Sequence, residues 1–149
     1  MKFDKMKLAL AAIGLVNLSQ AMAANTTSVG VSATVAGICK FSATTGSTLS
    51  FGSIDPSGTA AATASVTLPF QCTKSATSAA SIQSGGTALV SSTNTMAYSS
   101  SLTGVVQTGS GFGSGATLTM TLNGTVAAAV YQAAAVGTYV DSIVVSVSP

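Results

Sequence analysis

The clearest hydrophobic pattern in the chain is an alternation with a period of two near its start. From Asn25 to Ala36 the odd positions include Val29, Val31, Ala33 and Val35, while the even ones are Thr26, Ser28, Gly30, Ser32, Thr34 and Ala36. One face is apolar and the other small and mostly polar, as in an extended strand laid into a groove. A second alternation runs from Ser65 to Cys72, with Val66, Leu68, Phe70 and Cys72 on one face. Pro69 inside it lacks a ladder donor, which predicts an edge position or a bulge. The third runs from Tyr139 to Ser148. It places Tyr139, Ile143, Val145 and Val147 on one face and Val140 and Val144 on the other, with Asp141 at the strand's entry.

Between these runs the signals are weaker. Leu49 and Phe51 precede Gly52, and Asp55-Pro56-Ser57-Gly58 has the composition of a turn. Ser75 to Gly115 is rich in Ser, Thr and Gly with scattered apolar anchors, which predicts short strands and loops. Asn123-Gly124 is a hairpin signal. A three-residue loop at Leu122-Asn123-Gly124 keeps Met120 and Val126 on one face, and a glycine bulge in one continuous strand is the alternative. The alanine-rich stretch Val126–Val136 tolerates helix, but its flanks alternate like strands. The expected class is all-β.

Composition narrows the function. Ala, Ser, Thr and Gly together supply 84 of 149 residues; there are five Lys and three Asp, and no Glu, Arg, His or Trp. General acid–base catalysis draws mainly on residue types that are missing or rare here. The many serines have no histidine partner, and only Lys40 and Lys74 are left for a Ser–Lys arrangement. An enzyme is therefore not expected, nor is any cofactor. Two Cys and three scattered Asp make no metal site. Nucleic-acid binding needs clustered Lys or Arg, which is absent. At 47% apolar and 5% charged residues, the chain lacks the polarity that keeps disordered segments expanded.

The first 23 residues have the layout of a secretory signal. Lys2, Lys5 and Lys7 precede the apolar run Leu8–Val16, and Ala21-Met22-Ala23 supplies a small–x–small cleavage pattern. A helix over nine residues spans ~14 Å, less than half of a ~30 Å hydrocarbon core. Cleavage after Ala23 would leave Lys40, Lys74, Asp55 and Asp141 as the only charges, hence a net charge of zero. No later apolar run is long enough to be an integral membrane segment. In an oxidising compartment the even pair Cys39 and Cys72 is expected to form a disulfide.

Several of these pieces, in this order, resemble the spore coat protein U domain family, which includes the pilins of archaic chaperone–usher pili. Gly137-Thr138-Tyr139-Val140-Asp141-Ser142, followed by Ile-Val-Val-Ser-Val-Ser, is similar to the family's G-x-Y-x-D ending. Leu49-Ser50-Phe51-Gly52 with Asp55-Pro56 is similar to its L-x-F-G segment. Cys39 follows the alternating N-terminal run and Cys72 ends a strand in the first half, as the family's paired cysteines do. Gly124 fits its penultimate strand. The middle of the chain, Ser75–Gly115, departs from the family: it lacks the expected arginine and tyrosine-rich segment, leaving Tyr98.

The resemblance implies an incomplete immunoglobulin-like β-sandwich, spanning 37–149, that lacks its final strand and is completed by donor-strand complementation. A periplasmic chaperone would fill the gap first. At an outer-membrane usher, the N-terminal extension of a neighbouring pilin subunit would then replace the chaperone strand, giving a head-to-tail polymer on the cell surface that serves adhesion or biofilm formation. Residues 24–36 would be that extension, with Val29, Val31, Ala33 and Val35 as its apolar knobs. Tyr139, Ile143, Val145 and Val147 would border the acceptor groove. A different reading is a self-contained secreted β-sandwich that binds carbohydrate or a surface, against which stand the three Tyr, the absence of Trp and the few Asn and Gln.

Overall fold

The computed structural model describes residues 25–42 and 47–149. The segment 1–23, expected to be a secretory signal, lies outside the described residues. The chain falls into two units, one ending at Ala33 and one running from Thr34 to Pro149; among the described residues, all regular elements belong to the second. No strand or helix occurs within residues 25–38.

Serine and threonine are the commonest residues of the strands, followed by valine and alanine, and the architecture is all-β with open antiparallel sheets. A four-stranded sheet has the order β1 (Cys39–Phe41), β2 (Ala62–Cys72), β7 (Leu118–Val126), β6 (Ser99–Thr103). A two-stranded sheet joins β3 (Ala79–Ser84) to β8 (Val144–Ser148), and β4 (Ala88–Ser91) pairs with β5 (Asn94–Ala97). The stretch expected to hold short strands therefore contributes four, none longer than six residues.

Cys39 lies directly opposite Cys72 in the β1–β2 ladder, and the two form the expected disulfide. Asp55 and Gly58 close the expected turn, with Gly58 N donating to the Asp55 carbonyl at 3.1 Å and Ser57 N to Asp55 Oδ1 at 2.9 Å.

Three expectations change. The segment around Asn123-Gly124 is neither a hairpin nor a bulge: β7 runs straight through it, pairing Asn123 with Ser65 and Gly124 with Ala64 in unbroken register. The glycine is there for space. A Cβ at position 124 would stand 2.8 Å from both Leu49 Cδ2 and Phe51 Cζ, so these two side chains pack where a side chain of β7 would otherwise project.

Pro69 lies in a strand flanked on both sides, without a bulge. Its carbonyl accepts Ser42 N at 2.9 Å, so its missing N–H faces the place where β1 ends rather than the continuous β7 ladder. Proline costs little where the neighbouring strand stops.

The alanine-rich stretch forms a short helix, α1 (Ala128–Gln132), in which Tyr131 is buried and donates from its hydroxyl to the Ala60 carbonyl at 2.6 Å. That aromatic anchor, together with alanine's intrinsic preference, outweighs the strand-like flanks.

The core forms two clusters. Phe70, Met120, Cys39 and Cys72 make the first, against which Ala80, Val145 and Val147 of the two-stranded sheet pack. Val126, Met96, Tyr98 and Tyr131 make the second, joined by Leu49, Phe51, Tyr139 and Ile143. Along β2 the inward face is fully buried at Phe70 and Cys72 but only half-buried at Ala62, Ala64, Val66 and Leu68.

Candidate functional site

That half-buried face opens onto a cavity of about 980 Å³. Its walls come from β2 and β7 (Val66, Leu68, Leu122), from the segment before the turn (Leu49, Phe51, Ile54), and from β8 and its approach (Tyr139, Ile143, Val145). Met96, Tyr98 and Tyr131 complete the aromatic end. The Phe51 and Tyr98 rings meet edge to face with centroids 5.8 Å apart. Such a volume equals the largest pockets that hold small ligands, and here it is an open groove.

Among the described lining residues the ionisable groups are Asp141 and the tyrosines. Their polar atoms are engaged. Tyr98 donates to Asp141 Oδ2 at 2.8 Å, Tyr131 to the Ala60 carbonyl at 2.6 Å and Tyr139 to the Ala135 carbonyl at 2.9 Å. Asp141 also accepts Gly86 N at 2.7 Å and Ser142 N at 2.8 Å. Burial alone would push the Asp141 carboxyl up, but these three donors outweigh it and hold it below its ordinary value. Burial, then the hydrogen bond and charge of Asp141, push the Tyr98 hydroxyl well above the usual tyrosine range. The groove thus combines apolar walls and aromatic rings, whose tyrosine hydroxyls are already engaged, with serine and threonine side chains such as Ser53 and Thr138.

One edge of β8 pairs with β3; among the described residues its other edge pairs with no strand. Strand edges of this kind are templates for another chain.

The residues anticipated for this edge divide. Tyr139, Ile143 and Val145 line the groove, whereas Val147 packs with the first core cluster. The regular strand is shorter than the pattern suggests, starting at Val144 rather than Tyr139. Before it, Val140 bridges to Val90 and Asp141 is tied by its hydrogen bonds, which draws the chain away from the β3 ladder. The facing nevertheless follows the alternation: Val140 and Val144 are exposed. Val29, Val31 and Val35 are 76%, 92% and 82% exposed, and Ala33 is exposed as well. Four apolar side chains in alternation therefore face solvent.

Sequence reasoning did not assign Leu49, Phe51 and Tyr98 to the groove. The signal for the first two was Gly124, a glycine amid alternating residues that marks a close approach by another segment. No protein-family model matches the chain, and no curated protein matches it significantly.

Proposed function

We propose that this chain is a structural subunit of a cell-surface pilus, exported through the periplasm and assembled by donor-strand exchange. In this reading the domain from 37 to 149 is an immunoglobulin-like sandwich with one strand position to be filled from outside. The observation that carries the proposal is the open groove, walled by Val66, Leu68, Leu122, Phe51 and Ile143, beside the edge of β8 that pairs with no strand among the described residues, in a chain that also bears an exposed, strand-patterned segment belonging to no strand.

β-Strand addition supplies both needs of such a groove. Backbone hydrogen bonds satisfy the edge, and alternate side chains enter the cavity. Val29, Val31, Ala33 and Val35 are the knobs, small enough for a groove already walled by aromatic rings. A periplasmic chaperone would cover the groove before assembly, an outer-membrane usher would be the site of exchange, and neighbouring subunits would be the final partners. One donor and one acceptor per subunit make a head-to-tail contact, which need not close and so extends into a filament. The disulfide agrees with export into an oxidising compartment.

A polar small-molecule ligand such as a sugar would find the tyrosine hydroxyls of the groove already donating to protein acceptors and would have to be held by serine and threonine side chains such as Ser53 and Thr138. The test is complementation in trans. A synthetic peptide of residues 25–37 added to the protein should raise its melting temperature and protect the β8 amides from hydrogen exchange. A scrambled peptide of the same composition should do neither. Equal effects of the two peptides would reject strand addition, and stabilisation by oligosaccharides alone would favour the secreted binding module.

A further inference from the structure

A two-residue periodicity has a weakness at a free edge: slipping the register by one residue turns every side chain to the opposite face. β8 is short, five residues, and its ladder with β3 is irregular at its start, where Val145 pairs with Ile82 but Val144 pairs with Ser84. A slip there would turn Ile143 and Val145 out of the groove and Val144 in. Some feature must fix the register.

The fixing contacts lie immediately ahead of the strand. The Asp141 carboxylate gathers donors from three places: Gly86 N in the β3–β4 connection, the Tyr98 hydroxyl between β5 and β6, and its neighbour Ser142 N. The loop it grips allows no side chains. Gly85 and Gly86 both have positive φ, +75° and +81°. A Cβ on Gly85 would collide with the Ser142 carbonyl, and one on Gly86 with Ser100 Oγ. Ser100 Oγ in turn donates to the Gly86 carbonyl at 2.8 Å. The glycine pair is thus wedged against the residues that lead into β8 and bolted there by one carboxylate.

We propose that Asp141, acting through Tyr98 and Gly86, is a positioning residue that pins the register of β8 and so presents Ile143 and Val145 to an incoming strand. The chain has only three Asp and five Lys, and one of those carboxylates stands at this point with three donors, while Asp55 serves a local turn. The part of the inference that concerns an incoming strand rests on the strand-exchange reading; the part that concerns register does not.

The test separates the two. Wild type and the full-length variants Asp141→Ala, Asp141→Asn and Tyr98→Phe are compared by cross-strand backbone NOEs between Ile82 and Val145, and by affinity for the 25–37 peptide. The expected result is loss or doubling of the Ile82–Val145 contacts in Asp141→Ala with at least tenfold weaker peptide binding. Asp141→Asn, which keeps an acceptor oxygen, should restore the contacts, and Tyr98→Phe should fall between. A drop in melting temperature with the NOE pattern and peptide affinity both unchanged would overturn the pin, leaving Asp141 a plain stabilising contact. If Asp141→Ala unfolds, Tyr98→Phe decides by the same two readouts. If wild type binds no peptide, strand exchange fails while the NOE pattern still decides the register claim.

Discussion

The Tyr98 hydroxyl donates to Asp141 Oδ2 at 2.8 Å, joining a buried aromatic residue on one wall of the groove to the chain entering its edge strand. The pair links stability to pH. Asp141 titrates below its ordinary value of 3.8 in the folded protein. Its contribution is therefore present above the unfolded-state pKa and is lost as pH falls through the folded value. Unfolding free energy of the wild type should decline below about pH 4 more steeply than that of Asp141→Asn. The variant keeps some acid dependence from Asp55, whose carboxyl is also held low, by the Ser57 amide and hydroxyl. Denaturant titrations between pH 2 and 7 check this; parallel curves for the two proteins would contradict it.

Replacing Tyr98 by Phe keeps the edge-to-face contact with Phe51 and removes the donor. The cost should be about 1–2 kcal/mol, read from chemical unfolding at neutral pH. A neutral result would mean that solvent replaces the hydroxyl at Asp141 without loss.

Reduction of the disulfide should cost more. Cys39 and Cys72 are 33 residues apart in sequence, and opening a loop of that size lowers stability by roughly 3–4 kcal/mol in the chain-entropy model. Unfolding curves with and without reductant, or of the Cys39→Ser/Cys72→Ser pair, measure it directly. An unchanged midpoint would show that the reduced unfolded chain is already restrained.

Gly124→Ala should destabilise by about 1–3 kcal/mol through overpacking, because the new methyl meets Leu49 and Phe51 at 2.8 Å. Gly113→Ala, with nothing within 4 Å of its Cβ, is the matched control and should be near neutral. Equal effects at the two positions would remove the spatial explanation for Gly124.

These residues show where the sequence was informative. Period-two alternation located β2 and the inward side of β8, because a half-buried strand writes its facing into every second residue. The disulfide followed from an even pair of cysteines behind a stretch with the layout of a secretory signal. The turn at Asp55–Gly58 was legible because its side chains make the turn's own hydrogen bonds. Gly124 misled, since a hairpin and a close-packing site require the same residue and differ only in what lies across from it. Helix α1 was hidden because Ala128–Gln132 carries no capping side chain and is held by Tyr131 reaching Ala60, a contact 71 residues away in sequence. The groove was foreseeable only along β8; its opposite wall is built by Leu49, Phe51 and Tyr98, whose meeting depends on long-range packing.

Changing the knobs of the exposed segment should separate assembly from folding. Val31→Asp places a charge on a side chain that is 92% exposed, so the stability of the monomer should shift by less than about 0.5 kcal/mol. In the proposed filament that position packs against the apolar side chains of the groove wall, where an unpaired carboxylate is strongly disfavoured, and polymer should vanish from the surface. Sedimentation and electron microscopy of the variant check both halves. Intact filaments from Val31→Asp would place the donor elsewhere.

The most direct measurement of strand acceptance compares two variants with the disulfide intact. One lacks residues 24–36; the other carries Thr27–Ala36 behind Pro149 on a flexible linker. The account predicts that the graft is a monomer stabilised by several kcal/mol, the scale of burying three valines and an alanine, while the deletion melts early or aggregates. A deletion variant that stays monomeric and as stable as the graft would show that the domain needs no added strand, and would contradict the account.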